Sequence, residues 1–124
     1  MRVLEIGCGT GIVAREIASR FDNIYILGID RSSKAILQSL KNCRITVATG
    51  KTSFVRAAIE QFEYPKAEGL FDLAFGIRVG ALDGRHPGKE AAALKNIARL
   101  LQPGGNLYID GGSPLKEVNI DAYR

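Results

Sequence analysis

The sequence predicts an α/β domain: a doubly wound, mostly parallel sheet with helices on both faces, in three layers. Short apolar runs alternate along the chain with segments whose apolar residues recur at helical spacing. A crossover between parallel strands must cover a sheet face, so such alternation requires helices on both sides. In addition, residues 24–29 are apolar almost throughout, as a strand covered on both faces should be. With 124 residues the chain is long enough for one domain with its own core, spanning residues 1–124.

Residues 3–6 form the first strand, which ends at Gly7. A helix follows over 11–21, with Val13, Ile17 and Phe21 on one face and Ala14 and Ala18 beside them. After the second strand, Ser32 or Ser33 can cap a helix carrying Ile36, Leu37 and Leu40. The β-branched run Ile45-Thr46-Val47-Ala48 reads as the third strand. Thr52 then caps a third helix with Val55, Ala58, Ile59 and Phe62. A loop with Pro65 and Gly69 leads to the fourth strand over 71–75. A glycine-rich connection over 76–88 precedes a helix over 89–101, stopped by Pro103-Gly104-Gly105. Residues 106–110 form the fifth strand. The tail over 111–124 alternates Val118, Ile120 and Ala122 with polar residues and reads as a short extra strand beside the fifth. It, or a second copy of the chain or a partner subunit, should cover an otherwise open edge.

Composition removes several classes of function. An apolar content of 46% excludes a disordered chain. No apolar run approaches the roughly 18 residues of a membrane span, and the start lacks a signal-peptide core. The net charge is +4, with nine basic and four acidic side chains over residues 1–56 and eight and nine over 57–124. These charges are spaced along expected helix surfaces without arginine-rich blocks, which favours a solvated face over a nucleic-acid footprint. Two cysteines do not make a disulfide framework, and no Cys or His pair has metal-ligand spacing. The expected compartment is reducing and cytoplasmic.

Doubly wound sheets bind ligands beyond the C-terminal ends of their strands, where strand order reverses. Here that point follows the first strand, at Gly7-Cys8-Gly9-Thr10-Gly11. Glycines there permit positive φ and close approach of a ligand to the backbone. Asp30 closes the second strand, 19 residues after Gly11, where a carboxylate can accept bonds from both ribose hydroxyls. The two features together indicate an adenosine-containing ligand. A dinucleotide fingerprint requires a third glycine where this chain has Ile12. Glu5 also puts an anion two residues before the loop, which disfavours a pyrophosphate and suits a cation.

The loop led by Glu5 resembles motif I of the class I S-adenosylmethionine-dependent methyltransferases, whose cofactor carries an ammonium and a sulfonium and no phosphate. Gly28-Ile29-Asp30-Arg31-Ser32 resembles their second-strand acid region, and Phe71-Asp72-Leu73-Ala74-Phe75 their fourth strand. Leu101-Gln102-Pro103-Gly104-Gly105-Asn106-Leu107 resembles the helix stop before the fifth. The resemblance implies a Rossmann-like methyltransferase sheet and methyl transfer to a small molecule. It places Gly7, Gly9 and Gly11 on the methionine part of the cofactor, with Cys8 in the same cofactor-binding loop and Glu5 toward the ammonium. Asp30 falls on the ribose, Arg31 along the adenine, and Gly76 and Ile77 beside the methionine end. The family often has an acid after the third strand for the adenine amino group. Here that stretch is Thr49-Gly50-Lys51, which offers only backbone or Thr49.

Other residues carry two readings. Cys8 is a small filler rather than a reactive thiol, and Asp72 a backbone partner at a strand start rather than a catalyst. Arg78 can pair an anionic ligand or be a surface charge. Asp83 and His86 lie in the loop where an acceptor would arrive and can serve as bases, but the family also catalyses by proximity alone, so no catalytic residue is assigned. The Asn/Asp-Pro-Pro-Tyr signature of amine methylators is replaced by Phe75-Gly76-Ile77-Arg78, which leaves a small-molecule acceptor and makes nucleic acid the weaker reading. Family members normally carry N-terminal helices and two further strands. Their absence here implies a truncated chain, a lid from a partner subunit, or a non-catalytic module with the same pocket.

Overall fold

A computed structural model describes residues 1–77, 79, 82, 87–110, 112 and 115–124. Six strands form one sheet: β1 (Arg2–Ile6), β2 (Tyr25–Asp30), β3 (Thr52–Arg56), β4 (Phe71–Gly76), β5 (Leu101–Asp110) and β6 (Leu115–Val118). Their order is β3-β2-β1-β4-β5-β6, with β1 to β5 parallel and β6 antiparallel to β5. The reversal of winding falls at β1, which lies between β2 and β4. The helices are α1 (Ile12–Arg20), α2 (Ser33–Asn42), α3 (Arg44–Ala48) and α4 (Pro87–Leu100).

Period-two alternation along the central strands feeds two cores. Leu4, Ile6, Leu27, Ile29 and Ala74 face α4, whose Ala93, Leu94 and Ile97 complete that layer. Val3, Ile26 and Phe75 face the other way, onto Ala14 and Ala18 of α1 and Ile36 of α2. On this second face an apolar groove of about 920 Å³ runs between α1 and the sheet, lined by Val13, Ile17, Leu73, Phe75 and Tyr108 among others. The tail strand is present: β6 pairs with β5 from Leu107 opposite Val118 to Asp110 opposite Leu115. It covers the edge of β5 as the alternation predicts.

The third strand and third helix are corrected. Residues 45–48 lie in the one-turn helix α3, and Thr52, expected to cap a helix, begins β3. α2 ends at Asn42, and the chain takes one more helical turn before pairing begins with Thr52 opposite Ile26. Gly50, at φ 80°, closes that turn and donates its N–H to the Val47 carbonyl. Ile45 is 79% exposed, whereas Thr52 and Phe54 of β3 are buried. Burial therefore overrode the β preference of Ile-Thr-Val.

The segment after β3 has no α-helix among its described residues, yet Ile59 and Phe62 are buried against α4. Their carbonyls are held by one side chain: Asn96 of α4, buried, donates Nδ2 to Ile59 O at 2.7 Å and to Phe62 O at 2.6 Å. Arg99 in turn donates to Asn96 Oδ1. Asn96→Leu leaves buried carbonyls without donors and should cost about 2–4 kcal/mol. Urea unfolding should show a lower midpoint at unchanged slope.

Candidate functional site

β1 ends at Ile6, and the chain leaves the sheet through three glycines in the left-handed region: Gly7 (φ 74°), Gly9 (φ 55°) and Gly11 (φ 81°). The N–H groups of Gly7 and Cys8 both donate to Ile29 O, at 2.8 and 2.9 Å, which fastens the loop to β2. Two of the three glycines are required by their neighbours. A Cβ at Gly7 would approach Val79 Cγ2 to 3.1 Å, and one at Gly11 would come within 3.0 Å of the Ser39 backbone in α2. A Cβ at Gly9 would meet nothing within 4 Å, so of the three only Gly9 faces open space. Gly11 is also the N-cap of α1, where no side chain caps the helix.

Asp30, at the end of β2, accepts from the Gly9 N–H through Oδ2 (3.0 Å) and from the Ser32 N–H through Oδ1 (2.9 Å). These two bonds tie the glycine loop to the start of α2, where Ser32 Oγ caps the helix by accepting the Ala35 N–H. A carboxylate has about four acceptor positions, so Asp30 keeps capacity for further donors.

Glu5 sits on β1 opposite Gly28 and Phe75, and is 5% exposed. Its Oε1 has no hydrogen-bond partner among the described residues. Burial, and secondly the charge of Asp30, push its carboxyl up to about 8. Such a group stays protonated at neutral pH unless a cation arrives. Cys8 is buried under the loop with Sγ 3.8 Å from Ser39 Oγ, and burial pushes its thiol up to about 12. A thiol held so firmly in its protonated form is packing, not a nucleophile.

The C-terminal ends of the strands enclose a crevice of about 210 Å³. Gly7, Asp30, Arg31 and Ile77 line it, so the structure brings these expected residues together. Glu5, Cys8, Gly9 and Gly11, on β1 and its loop, do not line it, and Gly50 is remote from it: it precedes β3 at the opposite end of the sheet, as do Thr49 and Lys51. In their place Ala57, Ile59 and Glu60, just beyond β3, form one wall, and Val79 another. The misplaced third strand hid this wall. The buried positions Thr52 and Phe54, with Gly50 as a helix stop, were the signal for it. Asp72 accepts the Arg2 backbone N–H at 2.8 Å, the strand-start role expected. Arg78, Asp83 and His86 lie outside the described residues. Among the described residues no group of three or more His, Cys, Asp or Glu could hold a metal ion, and no helix is long and apolar enough to cross a membrane.

The geometry offers a backbone bend, a carboxylate with acceptor capacity to spare and a buried carboxyl whose Oε1 has no partner among the described residues. A "Methyltransferase domain" family model matches residues 3–105. An O-methyltransferase of Pyrenophora dematioidea is 38% identical over 117 residues, covering 90% of this chain and 41% of that protein. The solved structure of SpnF, a [4+2]-cyclase, is 30% identical with a TM-score of 0.72, covering 87% of this chain and 37% of that one. An O-methyltransferase from a Brevibacillus brevis trans-AT PKS multienzyme, solved with S-adenosyl-L-homocysteine, superposes with a TM-score of 0.74 at 18% identity, covering 88% and 34%. The chain thus spans less than half the length of each of these three proteins. By the extent of the family match, the chain belongs to the methyltransferase-domain family.

Proposed function

We propose that this domain binds S-adenosylmethionine and directs its methyl group to an oxygen of a small-molecule acceptor. The observation that carries the reading is Glu5: a buried carboxyl with an oxygen unpartnered among the described residues, next to a bend that leaves Gly9 open. A phosphate-bearing dinucleotide would keep that carboxyl in its neutral form and gain no charge pairing from it, whereas an ammonium or sulfonium would draw out the carboxylate and pair with it. Asp30 accepts the ribose hydroxyls on its free lone pairs while it holds the loop. Glu60, half-buried in the crevice wall, supplies an acceptor for the adenine amino group.

When bound, the cofactor supplies a methyl carbon already activated by a sulfonium leaving group. The chain's part is to hold that carbon in line with an incoming nucleophile at about 3–3.5 Å. Cys8 takes no part, because its thiol stays protonated. The acceptor class follows the O-methyltransferase relative. The likeness to the SpnF cyclase favours a second reading, in which the pocket is kept without methylation.

Calorimetry with S-adenosylmethionine, S-adenosylhomocysteine and NAD tests the first step. Binding of both adenosyl ligands and not of NAD is expected, and binding of NAD alone would overturn the reading. A coupled assay for S-adenosylhomocysteine release over a panel of phenols and hydroxy acids tests the second. Cofactor binding without release on any acceptor would favour the second reading.

A further inference from the structure

Three consecutive carbonyls of the glycine loop each accept a bond from one face of α2 and its cap. Ser39 Oγ donates to Gly9 O at 2.8 Å, Asn42 Nδ2 to Thr10 O at 2.9 Å, and Cys43 Sγ to Gly11 O at 3.3 Å. Residues 39, 42 and 43 are spaced i, i+3 and i+4, so they share one side of a helical turn. Ser39 and Cys43 are almost wholly buried, while the Asn42 bond is exposed. The contact is close enough that a Cβ on Gly11 would run into the Ser39 backbone. Arg15 of α1 donates to Asn42 O at 3.2 Å and so links the first turns of α1 to the end of α2.

We propose that Ser39, Asn42 and Cys43 are positioning residues: together they clamp the glycine loop open before the cofactor arrives. A loop whose glycines all have positive φ has many alternative conformations, and ordering it during binding would weaken affinity. The clamp holds the Gly9 and Thr10 carbonyls toward α2 and gives a second donor to the Gly11 carbonyl, which also accepts the Arg15 N–H of α1 at 3.0 Å. Asp30 holds the same loop from the β2 side through the Gly9 N–H. Gly9 is therefore fixed on both its N–H and its carbonyl, while the space a Cβ on it would take stays open. Cys43 acts here as a hydrogen-bond donor, a role its buried, protonated thiol suits, with burial the chief cause raising its pKa.

The proposal rests on the cofactor reading above, and its test separates the two. The Kd for S-adenosylhomocysteine is measured by calorimetry for wild type, Asn42→Ala, Cys43→Ala, Cys43→Ser and the Asn42→Ala/Cys43→Ala double variant, with thermal midpoints alongside. The double variant should bind about tenfold more weakly, with a more unfavourable binding entropy. Cys43→Ser keeps a donor at the same place and should restore the affinity that Cys43→Ala loses. A merely structural cysteine would not require the hydroxyl. Should the double variant fail to fold, the exposed Asn42→Ala and the Ala/Ser pair at position 43 still decide. Wild-type Kd in Asn42→Ala and Cys43→Ala, or no rescue by serine, overturns the clamp. No binding by folded wild type overturns the cofactor reading instead.

Discussion

Glu5→Gln should leave stability unchanged below about pH 4.5 and raise it progressively above, by on the order of 3–5 kcal/mol once the pH passes 8. The sign follows from proton counting. In the unfolded chain Glu5 titrates at an ordinary carboxyl value, whereas in the folded protein it holds its proton to about 8. Between those values the folded state binds more protons than the unfolded one, so wild-type stability falls as pH rises. Glutamine removes the titration and with it the fall. Urea unfolding of both proteins from pH 4 to pH 9 checks this, and parallel curves would refute it. The same residue should make cofactor affinity depend on pH in the opposite direction. A cationic ligand needs the carboxylate, so binding below pH 8 must expel a proton. Affinity for S-adenosylmethionine should then improve by up to about tenfold per unit from pH 6 to 8 and level off beyond. Calorimetry in buffers of different ionisation enthalpy should record close to one proton released near neutral pH. Glu5→Gln should bind more weakly and release none. A residue that lowers stability in the empty protein and strengthens binding is what a pocket built for a cation would contain.

That position was legible because its signals are local. β1, the glycine loop, β2 and Asp30 form one continuous strand–turn–helix–strand stretch, and glycine at positive φ announces itself in the sequence. What lies across the crevice was not. Ile-Thr-Val at 45–47 carries a stronger strand preference than Thr-Ser-Phe at 52–54, and the chain decided by burial: Ile45 is left in solvent while Thr52 and Phe54 enter the sheet. The shift carried the far wall of the crevice from Thr49 to Ala57 and Glu60. Ser39 was equally hidden. A buried serine in an amphipathic helix has no local signature, and its purpose appears only when α2 is laid against the loop it holds.

Asp30→Ala should weaken binding of S-adenosylhomocysteine by roughly 10- to 150-fold, the equivalent of about 1.5–3 kcal/mol for hydrogen bonds to a charged group. Two mechanisms contribute and can be separated. Asp30 already accepts from Gly9 and Ser32, so its removal frees the loop and the start of α2 as well as the proposed ribose contact. Loss of the backbone bonds should show in the ligand-free protein as a lower thermal midpoint. Loss of the ribose contact should show only in the ligand. Wild type should therefore discriminate S-adenosylhomocysteine from its 2′,3′-dideoxy analogue, whereas Asp30→Ala should bind the two alike, in a cycle where one partner is the carboxylate and the other the hydroxyl pair. Discrimination that survives in Asp30→Ala would assign the hydroxyls to another residue and leave Asp30 as a fastening of the loop. Asp30→Asn adds a further constraint. The amide keeps one acceptor oxygen but sets its NH₂ against either the Gly9 or the Ser32 N–H, so it should lose nearly as much affinity as alanine despite its matching shape. An affinity near that of wild type in Asp30→Asn would mean that one backbone bond and a neutral acceptor suffice, and that the charge on Asp30 contributes little to holding the ligand.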